Sequence, residues 1–312
     1  MSGERGSLRA RTVRQLSALT AGRLAALAPV TAATLPSARL LVDQVLRAAA
    51  PPLRGTVTEP AERDGIVGEW VRGPRADRTD AVVLYVHGGG FVAGSALGYR
   101  GVASRLSTAT RLPVCTLDYR LAPEHPFPAA PDDVAAAFHR LVVLGHPADR
   151  IVVAGDSAGG FLAAHLALRL AAAGAPGPGA LVLFSPMSDL TLALGAGHTG
   201  ADRDGLLSER VARQAVGHFT DAPFALRPER GMRLPPTLVH TSDTEYFRAD
   251  AEDLARRWAA TGAPCELQLW PDQMHAFQTL PSVVPETRAS YRAAARFVAA
   301  HLPLANQKAV AS

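Results

Sequence analysis

The chain has 312 residues, 48% of them hydrophobic, and a formal net charge of +4 from 32 basic and 28 acidic residues. This length suffices for one large α/β domain or two small ones, and the small basic excess forms no block of the kind that binds nucleic acid. No apolar run approaches the roughly 18 residues of a membrane span, and the N-terminal stretch lacks the apolar core of a secretory signal. We therefore expect a cytoplasmic protein without stable membrane insertion.

The predicted elements change character along the chain. Residues 8–28 and 37–49 show helical spacing, and Pro51-Pro52 ends this region. From about residue 54, short strands alternate with helices, which favours a mostly parallel sheet with helices on both faces. The predicted strands are 81–87, 112–119, 150–155, 180–184, 236–241 and 265–270, and the predicted helices lie around 131–144, 157–173, 246–261 and 284–302.

The stretch 187–231 interrupts this alternation. It is long, mixed in character, and contains the helix-like segment LLSERVARQAVGHF. An insertion of this size into a parallel sheet is typical of a lid or of an element that contacts substrate. Elsewhere, Cys115 and Cys265 sit in strand-like segments without metal-ligand spacing, so we expect buried free thiols and neither a metal site nor a cofactor.

The segment Gly155-Asp156-Ser157-Ala158-Gly159-Gly160 follows the apolar run RIVVAG directly and precedes FLAAHLALRL. Flanking glycines allow the sharp strand–turn–helix that exposes a serine hydroxyl above the sheet, and the helix N-terminus favours developing negative charge. A bare G-x-S-x-G arises often by chance, but its setting here predicts that Ser157 is a nucleophile.

A second glycine-rich segment, His87-Gly88-Gly89-Gly90-Phe91, ends the strand AVVLYV. Residues without side chains let backbone N–H groups approach a reacting oxygen closely. We assign the amides of Gly88 and Gly89, together with that of Ala158, to an oxyanion hole. A phosphate cradle is the alternative, but no Lys-Ser/Thr follows and the spacing is not G-x-G-x-x-G. His87 itself is interpreted as structural.

These two segments, together with Asp118-Tyr119-Arg120-Leu121-Ala122-Pro123-Glu124-His125-Pro126-Phe127-Pro128, resemble the hormone-sensitive-lipase-like (family IV) bacterial esterases. The resemblance runs from about residue 80 to the C-terminus. It implies an α/β-hydrolase fold in which residues 51–312 form the catalytic domain. A helical cap would come from residues 1–50 and from the insertion at about 187–231. The 118–128 segment is expected to hold loops near the site with its charges.

The base and the acid must follow the nucleophile in the order Ser, acid, His. His275 lies after the strand CELQLW and before the last helix, where this fold delivers its base, whereas His125, His139, His165 and His301 are better read as structural. Two carboxylates, Asp243 and Glu245, follow the strand PTLVHT. The family pattern of an acid two residues before an apolar position favours Glu245, with Asp243 as the alternative.

The sequence thus predicts a serine carboxylesterase that hydrolyses small esters of short- to medium-chain acids through an acyl-enzyme. Three alternatives remain open: a lactone or amide hydrolase with the same triad, a non-catalytic ligand-binding protein similar to the plant gibberellin receptors, and a membrane-surface lipase. Dimers are common among similar enzymes, and the sequence leaves open whether this chain forms a homodimer.

Overall fold

A computed structural model describes residues 5–20, 31, 33–196 and 203–303. Within these residues an eight-stranded sheet has the order β1-β2-β4-β3-β5-β6-β7-β8. Its strands are β1 (Val57–Pro60), β2 (Gly68–Arg72), β3 (Val82–Val86), β4 (Val114–Leu117), β5 (Ile151–Asp156), β6 (Ala180–Phe184), β7 (Thr237–Ser242) and β8 (Cys265–Trp270).

Strands β3 to β8 all pair in parallel, whereas β1 and β2 pair antiparallel at one edge. The predicted mostly parallel sheet is therefore confirmed, and each predicted strand is found to within three residues at either end. β1 and β2 were not predicted individually, because β1 is largely exposed and reads VTEP, without an apolar run. Because β3, β5, β7 and β8 run parallel, their C-terminal ends lie along the same edge of the sheet.

Helices cover both faces of the sheet. Tyr85 of β3 packs toward one face, and its neighbour Leu84 toward the other, because successive side chains of a strand alternate. The helices are α1 (Leu8–Leu19), α2 (Leu35–Ala49), α3 (Ala96–Thr110), α4 (Ala129–Val143), α5 (Ser157–Ala172), α6 (Ala193–Ala196), α7 (Glu209–Phe219), α8 (Arg248–Ala260) and α9 (Thr287–His301). Helices α3 and α9 share a core with one face, and α4, α5 and α8 share a core with the other.

The N-terminal region forms helices where helical spacing predicts them. α1 spans only the first part of the predicted 8–28 helix, and residues 21–30 lie outside the described residues. α1 buries Ala10 against Met274 and Phe277, on the loop that follows β8. α2 packs instead on α3, and its Arg39 donates to the Val92 carbonyl at 2.7 Å. The first of these helices therefore lies beside the loop of His275 and the second beside the HGGGF loop.

The insertion contains α6 and α7, and its residues 197–202 lie outside the described part of the chain. An isolated antiparallel bridge between Asp189 and Ala225 joins its two ends. Ser208 caps α7 by accepting the Val211 N–H, so the predicted helix begins at Glu209. The buried residues of α7 are Ala212, Ala215, Val216 and Phe219, which form its apolar side.

Two expectations about the chain as a whole can be compared with the structure. Cys115 and Cys265 are both free, but only Cys115 is buried and Cys265 is half-buried on the edge strand β8. Among the described helices none is long and apolar enough to cross a membrane.

Candidate active site

Ser157 occupies a sharp turn between β5 and α5. Its φ of 52° lies in the left-handed region, which non-glycine residues rarely adopt, and a strained conformation of this kind is common at functional serines. The turn lies close to β3: a Cβ at Gly159 would be 2.0 Å from the Val86 carbonyl oxygen. A glycine is therefore required at position 159, and it lets the Ser157 hydroxyl stand at the strand ends.

His275 reaches Ser157 from the loop after β8. Its Nε2 lies 2.8 Å from Ser157 Oγ. The next residue, Ala276, has a φ of 49°, and its N–H donates to Ser185 Oγ at 3.1 Å, which fixes the loop against the end of β6. The predicted nucleophile and the predicted base are thus brought within hydrogen-bonding distance, although 118 residues separate them.

Glu245 lies behind the imidazole. Its Oε2 is 3.2 Å from His275 Nδ1. Its Oε1 accepts the Ser242 N–H at 2.9 Å and the Thr241 hydroxyl. A fully buried carboxylate needs such donors, because removing its charge from water is costly. Oε1 therefore contacts the end of β7, and Oε2 contacts the imidazole of His275.

Asp243, the alternative acid, has a different contact. Its Oδ1 accepts the Asp272 N–H at 2.6 Å, and Asp272 lies in the loop that carries His275. The Ser242 and Thr244 hydroxyls donate to the Gln273 carbonyl of the same loop. Asp243 thus holds the backbone of the loop, whereas Glu245 contacts the imidazole itself.

The surrounding carboxylates raise the pKa of the His275 imidazole and fix its tautomer. Burial lowers the pKa of His275, but the hydrogen bond and charge of Glu245, followed by the charges of Asp204 and Asp156, raise it above the usual 6.5. Because a carboxylate only accepts, Nδ1–H must donate to Glu245, which leaves Nε2 to accept from Ser157. This tautomer is the one that a general base requires.

The structure does not support the assignment of Gly88 to an oxyanion hole. The Gly88 N–H donates to Asp156 Oδ1 at 3.0 Å and therefore points into the protein. Asp156 also accepts the Tyr85 hydroxyl at 2.8 Å and the Tyr99 hydroxyl at 2.9 Å. A buried carboxylate thus anchors the first glycine of the HGGGF loop, and its N–H is not available to a ligand.

The next two glycines differ from Gly88. Gly89 and Gly90 have φ values of 107° and 63°, and among the described residues neither N–H donates to a protein acceptor. Ala158 lies in the first turn of α5, where backbone N–H groups have no intrahelical acceptor. Within the described part of the chain, the N–H groups of Gly89, Gly90 and Ala158 are therefore not engaged by protein acceptors, unlike that of Gly88.

The insertion covers this loop. A Cβ at Gly90 would be 3.0 Å from the Cβ of Ala215 in α7, so the two segments touch. Phe219, the last residue of α7, stacks on Phe91 with ring centroids 3.8 Å apart. Small and aromatic side chains of α7 thus pack directly on the HGGGF loop.

The 118–128 segment holds loops together, as predicted. Asp118 accepts the Ala96 N–H at 2.6 Å, and Glu124 forms a bidentate ion pair with Arg39. The Tyr119 hydroxyl donates to the His87 carbonyl at 2.9 Å, and the two rings stack. His87 is buried and its pKa is lowered to about 4 by burial, which agrees with a structural role.

Over the described ranges, no cluster of three or more His, Cys, Asp or Glu side chains is arranged to hold a metal ion.

Comparison with known proteins identifies the family. Residues 83–279 match the family model described as the alpha/beta hydrolase fold. A crystal structure of an esterase from the bacterial hormone-sensitive lipase family superposes with a TM-score of 0.85 at 30% identity, covering 96% of this chain and all of that one. The chain belongs to the hormone-sensitive-lipase-like esterases of the α/β-hydrolase fold.

Curated relatives in this esterase family cover most of the chain. Esterase LipU of Mycobacterium tuberculosis is 35% identical over 235 residues, which are 72% of this chain and 79% of LipU. An acetyl-hydrolase of Streptomyces hygroscopicus is 36% identical over 237 residues, 74% of this chain and 78% of that enzyme.

Several residues at the site of this family member were not predicted. Asp156 could have been suspected, because an aspartate directly after an apolar strand needs buried donors. Gly90 belongs to the glycine run that the sequence singles out, but Ser185 and Asp204 offered no comparable signal. Their contacts join segments far apart in the chain, and single-sequence patterns do not report such pairs.

Proposed function

We propose that this esterase hydrolyses carboxylic esters of short- to medium-chain acids with Ser157 as nucleophile, His275 as base and Glu245 as acid. The observation that carries the proposal is the continuous chain of contacts from Ser157 Oγ through His275 to Glu245, at 2.8 and 3.2 Å. Nucleophile, base and orienting carboxylate in this order are the arrangement that acyl transfer needs.

The reaction begins when His275 Nε2 takes the proton of Ser157 and Oγ attacks the ester carbonyl. Glu245 stabilises the imidazolium and does not itself accept the proton. The N–H groups of Gly89, Gly90 and Ala158 stabilise the negative charge on the carbonyl oxygen. His275 then protonates the departing alcohol, and a water molecule, deprotonated by the same imidazole, hydrolyses the acyl-enzyme.

The alternatives drawn from the sequence have weaker support. A non-catalytic ligand-binding protein would be expected to lack the base, and His275 is present and hydrogen-bonded to the serine. The relative named Esterase LipU supports esters over amides as substrates, whereas the name acetyl-hydrolase specifies the acetyl group and not the type of bond. An acyl-chain series that includes emulsified long-chain fat separates an esterase from a membrane-surface lipase.

The decisive experiment compares Ser157→Ala with Ser282→Ala, a change at an exposed serine distant in the chain from the β5–α5 turn. Against nitrophenyl acetate, butyrate and palmitate, we expect the Ser157 variant to lose turnover by about 10⁶-fold and the control to keep it. A fluorophosphonate should label the wild type at Ser157 alone. Retained turnover in Ser157→Ala would refute the proposal.

We further propose the cytoplasm as the compartment and a homodimer as the assembly. The two cysteines are free, which agrees with a reducing environment.

The homodimer proposal depends on β8, which is an edge strand, and Leu267 and Leu269 on it are 39% and 45% exposed. Edges of this kind pair readily with another strand. Light scattering on wild type and on Leu269→Glu measures the assembly: a monomeric wild type would refute it.

A further inference from the structure

Asp204 is a buried carboxylate of the insertion that the mechanism above does not use. It lies five residues before the start of α7 at Glu209. Its Oδ1 accepts the N–H groups of Leu206 at 2.9 Å and Leu207 at 3.2 Å. A turn of this type is common before a helix and accounts for one of the two oxygens only.

The second carboxylate oxygen of Asp204 contacts a residue outside the insertion. Asp204 Oδ2 accepts the Tyr246 N–H at 2.9 Å, across 42 residues of sequence. That N–H belongs to the peptide group that joins Glu245 to Tyr246. Glu245 is therefore held from two sides: the end of β7 binds its side chain, and Asp204 binds its backbone.

The charge of Asp204 also acts on the triad. Burial is the main cause that raises the pKa of Asp204, and the charge of Glu245 raises it further, whereas the charge of His275 and the backbone hydrogen bonds from Tyr246 and Leu206 oppose that rise. In return, Asp204 contributes to raising the pKa of His275, after Glu245 and before Asp156. Among the other charged side chains of the described residues, Arg14 of α1 packs on Gly205 and directs its guanidinium to the Arg203 carbonyl rather than to the carboxylate.

We propose that Asp204 is a positioning residue for the triad, which fixes the Glu245–Tyr246 peptide from the insertion and adds a second negative charge that stabilises the His275 imidazolium. The inference rests on the proposed function, since it needs His275 to be the base. A fixed negative charge stabilises the imidazolium and not the neutral ring, so it acts when His275 has taken the proton.

The test is the pH dependence of kcat/KM in Asp204→Asn, with Asp204→Ser as a second variant that retains an acceptor for the Leu206 N–H. The acid limb of kcat/KM reports the pKa of the base in the free enzyme. Removing a nearby negative charge lowers that pKa, so we expect the limb to move to lower pH by about one pH unit. The plateau should fall by about tenfold, the factor that corresponds to one pH unit.

Asp250→Asn is the matched control. Asp250 is likewise buried and binds backbone N–H groups of the insertion, at Ser188 and Asp189, but within the described part of the chain it forms no hydrogen bond with the Glu245–Tyr246 peptide. We expect its acid limb to stay at the wild-type position. Thermal melts establish that each variant is folded before its profile is measured.

The outcomes are distinguishable. An acid limb that stays in place in both Asp204 variants overturns the role of Asp204, even if the plateau falls, because a purely structural residue would lower activity without moving the limb. A wild type that is neither active on esters nor labelled by a fluorophosphonate overturns the proposed function, and this inference with it.

Discussion

Asp156 Oδ1 accepts the Gly88 N–H at 3.0 Å, so the residue before the serine holds the loop that carries the proposed oxyanion donors. The same carboxylate accepts the hydroxyls of Tyr85 and Tyr99. Burial raises its pKa, and these three hydrogen bonds oppose the rise. The nucleophile turn and the HGGGF loop are thereby joined through one side chain.

Replacing this carboxylate should affect both stability and catalysis. Asp156→Ala leaves three buried donors without an acceptor, and we expect a loss of about 3 kcal/mol in the free energy of unfolding and at least about tenfold in kcat. Asp156→Asn keeps one oxygen for Gly88 and should recover most of the kcat. Urea unfolding and steady-state kinetics measure the two effects, and an alanine variant with wild-type kcat would contradict the anchoring role.

The two carboxylates after β7 should respond differently. Glu245→Gln removes the charge that contacts His275, and kcat should fall by up to about 10⁴-fold because the imidazolium loses its partner. Asp243→Asn keeps an oxygen that can accept the Asp272 N–H, so its kcat should stay within about tenfold of wild type. Kinetics of the two purified variants on one aryl ester suffice. The reverse ranking would make Asp243 the acid.

Gly89 can be tested against a glycine of similar backbone conformation. Gly89→Ala places a Cβ 2.1 Å from the Ala93 carbonyl oxygen and displaces a proposed oxyanion donor, so kcat should fall by about 10²-fold or more. Gly262→Ala has a comparable φ of 95° with nothing within 4 Å of the added Cβ. It should cost about 1 kcal/mol of stability and leave kcat unchanged. Equal losses of kcat in both variants would indicate general strain instead.

Asp250 should make stability depend on pH. Burial is the main cause that raises its pKa from 3.8 to about 7, despite hydrogen bonds from Ser188 and Asp189. The folded state therefore holds this proton more tightly than the unfolded state, and stability falls as pH rises from about 4 to about 7. The loss is at most about 4 kcal/mol.

Asp250→Asn cannot ionise, so its stability relative to wild type should increase across that pH range. Urea unfolding at both ends of the range gives the difference, and Asp132→Asn, at a half-exposed carboxylate, provides the control. A difference between wild type and Asp250→Asn that does not change with pH would contradict the prediction.

The parallel part of the fold was predictable from the sequence because its strands are short apolar runs between helical segments. The segments 81–87 and 180–184 are of this kind, and the structure places β3 and β6 within them. β1 was not predicted because it contains a proline and a glutamate and is mostly exposed, so it lacks the pattern of a buried strand.

The site was predictable where one local pattern carried the information. Ser157 has a turn signature of its own, and the position of His275 follows from the strand before it. Gly88 was misassigned because three adjacent glycines look alike in sequence, and only the contact with Asp156 distinguishes the first of them. Asp204 meets the triad through a backbone group 42 residues away, which no local pattern contains.

The order of strands in the sheet places the proposed catalytic residues in two separate groups. Ser157 and the HGGGF loop follow β5 and β3, which are neighbours near the middle of the sheet, whereas Glu245 and His275 follow β7 and β8 at its margin. If heat or denaturant unfolds this edge of the sheet first, the His275 imidazole would separate from the Ser157 hydroxyl. The N–H groups of the HGGGF loop would stay beside the serine. Loss of turnover should then precede global unfolding, and the partly frayed enzyme should still bind oxyanion mimics.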